Sequence, residues 1–255
     1  MGPTPLKRVI FMAWDLYGKN ALITGGARRL GRALALALAG EGVNIAIHFR
    51  HSENAAKQLA KDLTGLGVKT WIHAGNLQEE KDVRTLIPRS WEAAGHLDIL
   101  INNAATYPKA ALENMTLAHL LQNIRINAWA PLALSREFAR RAKFGKIINL
   151  LDTHVDDEDS EHAGYLLSKC LLQKITRLLA KQYAPRVLVN GLAPGLILPP
   201  PGKNASYLTQ LGKQLPLQRH GTPEDVAAAA IYLLKNDFVT GEVVYIDGGR
   251  RLKGT

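Results

Sequence analysis

The chain has 255 residues, 47% hydrophobic and 21% charged, enough apolar material for a large core and too little bias for a disordered or fibrous protein. The longest apolar runs, Ala33–Ala39 and Val226–Leu234, fall far short of the ~18 residues of a membrane span. The net charge of +10, from 32 basic against 22 acidic residues, suggests an anionic partner such as a phosphorylated cofactor.

No zinc-finger or RNP spacing accompanies the basic residues. Their densest cluster, Arg136, Arg140, Arg141 and Lys143, reads as a solvated helix face, so neither nucleic acid nor membrane is an expected partner. The single Cys170 excludes an internal disulfide and reads as a small buried apolar residue. The eight histidines lack ligand spacing, so no metal is expected. Lys7 and Arg8 precede a short apolar run, Val9–Trp14, too short for a secretory signal, and Leu6 argues against myristoylation. A cytoplasmic protein of one domain, 1–255, with residues 1–16 as an N-terminal extension, is the expectation.

Short apolar stretches then alternate with longer amphipathic ones. Strands are predicted at Asn20–Thr24, Val43–Phe49, Lys69–Ala74, Ile99–Asn102, Lys146–Leu151, Val187–Leu192 and Val243–Ile246. Helices are predicted at Leu30–Gly40, Ser52–Leu66 with Ser52 as N-cap, Lys81–Ala94, Asn127–Ala142, His162–Tyr183 and Pro223–Leu234. Strands apolar on both faces and separated by helices imply an α/β fold, a single doubly wound Rossmann domain with a mainly parallel sheet of about seven strands.

The first strand runs into Thr24-Gly25-Gly26-Ala27-Arg28-Arg29-Leu30-Gly31, where a helix begins. Gly25 suits a tight turn and Gly31 a close approach of helix to sheet, while the helix N-terminus offers free N–H groups to a pyrophosphate. Placement between first strand and first helix makes the motif specific. Arg29 stands where a middle glycine is usual, and its guanidinium can lie along the pyrophosphate. The second strand ends His48-Phe49-Arg50-His51-Ser52. An acidic residue here would hold a ribose 2′-OH; Arg50, His51 and Ser52 suit a 2′-phosphate instead, so the expected cofactor is NADPH.

Tyr165 and Lys169 share one helix face, and a cation beside a phenol favours proton transfer near neutral pH. Together with Thr24–Gly31, Asn102-Asn103-Ala104-Ala105 and Pro194-Gly195, this pattern resembles the short-chain dehydrogenase/reductase family over residues ~17–250. The resemblance implies Tyr165 as proton donor, Lys169 as ribose ligand that lowers the tyrosine pKa, and Asn127 as holder of a relay water. It also implies cofactor contacts at Gly25, Arg29, Leu30, Gly31, His48, Asn103, Ala104, Ala105, Pro194, Gly195 and Leu196. Asn76-Leu77 stands where the family commonly has Asp-Leu near the adenine.

Most members carry serine thirteen residues before the tyrosine; this chain has Asp152. A carboxylate is a poor donor to a ketone oxygen but suits proton relay to a ring nitrogen. Thr24-Gly-x-x-x-Arg29-x-Gly31 with Asp152 and Tyr165-x-x-x-Lys169 is similar to the pteridine reductases. That narrower resemblance implies a pteridine substrate touching Arg29, Tyr107, Asp152 and Tyr165, with Tyr107 as the stacking aromatic. It also suggests a homotetramer. The proline-rich Leu196–Pro201 borders the substrate pocket, and Asp156–Asp159 reads as a solvated loop. A carbonyl reductase of the 3-oxoacyl carrier protein type is the alternative enzyme. A nucleotide sensor without turnover is disfavoured by the retention of Tyr165, Lys169 and Asn127.

Overall fold

The computed structural model describes residues 14–156, 160–200 and 202–252. Seven strands form one parallel sheet in the order β3-β2-β1-β4-β5-β6-β7. They are β1 (Asn20–Ile23), β2 (Asn44–Phe49), β3 (Thr70–Ala74), β4 (Ile99–Asn102), β5 (Gly145–Leu150), β6 (Val187–Pro194) and β7 (Val243–Ile246).

Because successive side chains on a strand point to opposite faces, the apolar residues split between two cores. Ala21 and Ile23 of β1, Ile45 and Ile47 of β2, and Ile99 and Ile101 of β4 face one core. That core is closed by α1 (Arg29–Gly40), α2 (Glu53–Gly65) and α8 (Pro223–Lys235). Leu22, Ala46 and Leu100, the residues in between, face the other. It is closed by α3 (Glu80–Ala94), α5 (Ala130–Arg141) and α6 (Ala163–Tyr183). This is why the strands read as uninterrupted apolar runs rather than alternating ones.

Strand order reverses at β1, which lies between β2 and β4. The crevice outside the carboxyl ends of the strands at such a switch point is where ligands bind in this architecture. Beneath it, a buried polar chain joins the sheet to its helices. Asn102 donates to Asn149 Oδ1 at 2.8 Å, and Asn149 donates to Thr176 Oγ1 at 2.9 Å.

Several expectations are corrected. Two helices are additional, α4 (Leu117–Ile124) and α7 (Ala205–Gly212). In α4 two of the three leucines that would signal a core face are exposed, Leu117 at 70% and Leu121 at 40%. The predicted helix start at Asn127 falls inside a π-helical turn, Arg125–Trp129, and α5 begins at Ala130. Ser52 precedes α2, but its side chain makes no capping hydrogen bond. Leu16, expected in an extension, is fully buried in the first core. Residues 1–13 and the acidic run at 157–159 lie outside the described residues. Cys170 is only partly buried, its thiol 3.5 Å from Val155 O. Arg140 and Arg141 of the basic cluster pair with Glu137, as a solvated face would.

Candidate active site

The turn after β1 is shaped by two glycines. Gly25 has φ +62°, in the left-handed region that costs an L side chain 1–2 kcal/mol, roughly. A Cβ on Gly31 would lie 2.3 Å from Gly25 O and 2.7 Å from Asn103 Nδ2. The missing side chain therefore lets α1 close onto the turn itself, not onto the sheet as expected. Arg29 also adopts a left-handed φ of +51°, as the glycine usual at this place would do freely. Its guanidinium donates to Pro199 O at 2.7 Å, joining the phosphate turn to the proline-rich segment.

The loop after β4 is knitted to this turn. Thr24 Oγ1 accepts from Asn103 N and Ala104 N, both at 3.0 Å, while Asn103 Nδ2 donates to Thr24 O and Gly25 O. Together they wall a cleft of about 430 Å³. Gly25, Arg29, Leu30 and Gly31 line it from the turn, and Asn103, Ala104 and Ala105 from the β4 loop. His48, Arg50, Asn76 and Leu77 line the far side. His51 and Ser52 are not among its walls, and neither are Pro194, Gly195 and Leu196. Arg28, which the sequence reading missed, faces the cleft with Arg50, so two guanidiniums rather than one are available to a phosphate. Asn76 Oδ1 accepts from Gln78 N at 3.2 Å, leaving its amide near Glu79.

The cleft fits a dinucleotide on its own terms. The N-cap side chain of α1 satisfies none of the first-turn N–H groups, and the glycines leave the backbone open where a Cβ would fill the cradle. A larger cavity of about 820 Å³ opens at the amino ends of the strands, around Trp14, Trp91 and Phe144. It holds none of the chemistry-bearing residues. One of its cations, Lys146, is spent on the helix end, donating to Leu234 O and Asn236 O at 2.8 and 2.9 Å.

His48, expected as a cofactor contact, lines the cleft and also braces it. Its Nδ1 accepts from Gly25 N at 3.3 Å, so the proton sits on Nε2, which lies 3.1 Å from Gly75 O. Burial pushes its pKa down to about 4.

Asp152 follows β5, and Tyr165 and Lys169 lie one turn apart on α6. Tyr165 Oη donates to Asp152 Oδ2 at 2.6 Å. Lys169 Nζ, fully buried, donates to Leu150 O at 2.6 Å. Burial lowers the Lys169 pKa to about 8, against the opposing pull of Asp152. The expectation that Lys169 pulls the tyrosine pKa down is corrected. Burial first, then the Asp152 charge and its hydrogen bond, hold the Tyr165 pKa well above its usual value. The hydroxyl therefore keeps its proton.

Asn127 sits in the π-helical turn with its side chain fully engaged. Its oxygen accepts from Thr106 N at 2.8 Å, and its amide donates to Thr106 O at 3.0 Å and Ser168 Oγ at 2.9 Å. Its side chain thereby fixes the β4 loop against α6. Tyr107 meets Tyr165 edge-on, with ring centroids 4.5 Å apart. One face of Tyr107 is covered by His162, stacked at 4.0 Å and 14°. His162 was not foreseen; its place one turn before Tyr165 is the only signal.

Among the described residues, no cluster of His, Cys, Asp or Glu could hold a metal, and no helix is long and apolar enough to cross a membrane. A glycine-turned nucleotide cleft at the switch point, beside a buried Tyr–Lys pair, defines a nicotinamide-dependent oxidoreductase of the doubly wound class. The sequence matches the enoyl-(acyl carrier protein) reductase family over residues 25–251, and the chain belongs to the short-chain dehydrogenase/reductases. It is similar to glucose 1-dehydrogenase of Gluconobacter oxydans, 30% identical over 250 residues, 93% of either chain. Among solved structures it resembles FolM alternative dihydrofolate reductase 1 from Brucella canis complexed with NADP (TM-score 0.88, 28% identity, covering 94% of this chain and 97% of that one). It also resembles a short-chain dehydrogenase from Burkholderia cenocepacia in complex with NADP (TM-score 0.85, 30% identity, covering 92% and 98%).

Proposed function

We propose that this protein is an NADPH-dependent pteridine reductase that converts a dihydropterin, or dihydrofolate, to the tetrahydro form. The observation that carries the reading is the 2.6 Å hydrogen bond from Tyr165 to Asp152. A carboxylate beside the acid has no use as a donor to a ketone oxygen, but by accepting from Tyr165 it orients that hydroxyl for proton transfer to a ring nitrogen. The likeness to an alternative dihydrofolate reductase crystallised with NADP supports the same substrate class.

NADPH, when bound, supplies the hydride for the carbon of a ring C=N bond. The chain's own residues do the rest. Tyr165 delivers the proton from Oη to the adjacent nitrogen. Asp152 accepts from the hydroxyl and orients it. Lys169 sits beneath, where the family resemblance puts the ribose. Tyr107, edge-on to Tyr165, is the aromatic beside the acid on which a flat heterocycle would stack; stacking adds about 0.5–1.5 kcal/mol beyond burial. The same reading makes the protein a cytoplasmic homotetramer, with exposed Leu167, Leu171 and Leu178 of α6 as apolar assembly surface.

The direct test is NADPH oxidation by purified protein with dihydropterins, dihydrofolate and 3-oxoacyl thioesters. Asp152→Ser removes a charge-assisted hydrogen bond worth about 1.5–3 kcal/mol, so pterin turnover should fall at least about tenfold with NADPH affinity retained. Equal pterin turnover in variant and wild type, or none in wild type beside activity on the thioester, would return the protein to the carbonyl reductases.

Cofactor choice is tested separately at Arg50, which walls the cleft together with Arg28. Arg50→Asp turns an attraction of about 1.5–3 kcal/mol for a 2′-phosphate into repulsion. NADPH affinity should fall by at least tenfold and NADH affinity far less, measured by calorimetric titration. Equal losses for the two cofactors would remove Arg50 from the phosphate site.

A further inference from the structure

We infer that His162 is a positioning residue that fixes the Tyr107 ring in advance for stacking on a flat substrate, an assignment that rests on the proposed reductase reading. The two rings lie nearly parallel, with centroids 4.0 Å apart and 14° between their planes. Tyr107 stands at 89° to Tyr165, with centroids 4.5 Å apart. His162 therefore backs the aromatic ring that borders the proton donor, and a flat substrate would meet the face of Tyr107 turned away from the imidazole.

The loop holds the backbone of Tyr107 but not its ring. One residue before it, both backbone groups of Thr106 are bonded to the Asn127 side chain. Three residues after it, Ala110 N donates to Glu161 O at 3.1 Å, and Leu112 N donates to Ser160 O at 2.8 Å. These bonds join the loop after β4 to the segment leading into α6, with Ala110 and His162 as the bridge of a short parallel pairing. The Lys109–Glu161 ion pair across the same join is exposed on both sides and adds little. The chain is thus pinned on either side of Tyr107, and the rotamer of a side chain still 48% exposed is what remains to be set.

His162 is placed to set it. The residue occupies the N-cap position of α6, where a side chain ordinarily bonds the first free N–H groups, yet it makes no capping hydrogen bond. Its ring lies on Tyr107 instead. An aromatic ring free to turn must give up that freedom when substrate stacks on it, which weakens binding. A ring already held by a parallel neighbour has given it up beforehand.

Two measurements on the full-length protein test the assignment. In protein carrying carbon-13 in its tyrosine rings, with the Tyr107 signals identified by their loss in Tyr107→Leu, the Tyr107 ring order parameter should fall in His162→Ala and be kept in His162→Phe. An unchanged order parameter in His162→Ala would overturn the assignment. This arm needs no substrate, so it decides the role of His162 even if wild type turns over no pterin and the pteridine reading fails. In turnover, His162→Ala should raise KM for a dihydropterin by about three- to tenfold with kcat and NADPH affinity kept, and His162→Phe should restore KM. An unchanged KM would overturn the assignment. So would a fall in kcat and NADPH affinity together that phenylalanine does not rescue, since that is the mark of a general structural role.

Discussion

Tyr165→Phe is expected to lower turnover by about 10²–10⁴-fold while NADPH still binds. The substitution removes one atom, the Oη that donates to Asp152. The ring remains, nine-tenths buried against its surroundings, and Tyr107 still packs on it edge-on. Lys169 keeps its bond to Leu150 O, so the floor of the site is undisturbed. What is lost is the acid. Burial and the Asp152 charge keep this hydroxyl protonated, and phenylalanine has no proton to give in its place. Single-turnover rates with saturating NADPH, alongside fluorescence titration of the cofactor, measure the two quantities separately. Wild-type rates in the variant would remove Tyr165 from the acid role, and loss of NADPH binding would make its role one of cofactor support.

Acidification from pH 7 to 4 is expected to cost about 3 kcal/mol of folding stability through His48 alone. Its folded pKa of about 4 lies below the 6.5 of an unperturbed imidazole. Between those values the unfolded chain binds the proton and the folded chain does not, so stability rises with pH across that window. The contribution is complete above about pH 6.5 and is lost as pH falls toward 4. The cause is burial, with Nδ1 needed unprotonated to accept from Gly25 N. Protonation therefore strikes the phosphate-binding turn first. His48→Asn should be less stable at pH 7 and flatter toward acid, read as denaturant midpoints at each pH. Parallel pH slopes for variant and wild type would show that His48 is not the group responsible.

The two effects originate in different parts of the sequence. The Tyr165–Lys169 pair was legible because i, i+4 spacing is local to one helix and survives folding, while the role of acid came from the family resemblance. The electrostatics around it were not legible. The sequence places a lysine four residues on, which suggests a depressed tyrosine pKa; only the fold buries the hydroxyl and carries Asp152, thirteen residues back, to 2.6 Å from Oη, and these two effects, burial the larger, turn the shift upward.

The sheet was legible for the same local reason. Buried parallel strands are short, apolar on both faces and punctuated by turn residues, and all seven lie within a residue or two of their predicted ends. The helix Leu117–Ile124 was not, because Leu117 and Leu121 are exposed and give no clean core-facing stripe. His48 was expected as a cofactor contact and Asn127 as a site residue by family position. Which hydrogen bonds they make depends on Gly25, Gly75, Thr106 and Ser168, which come from elsewhere in the chain. The sequence by itself determined the doubly wound fold, the glycine turn and the Tyr–Lys pair, since periodicity and spacing along the chain encode them. Tertiary structure alone decided which polar atoms are already satisfied and which charge sits beside the acid, because both depend on distances between residues far apart in the chain.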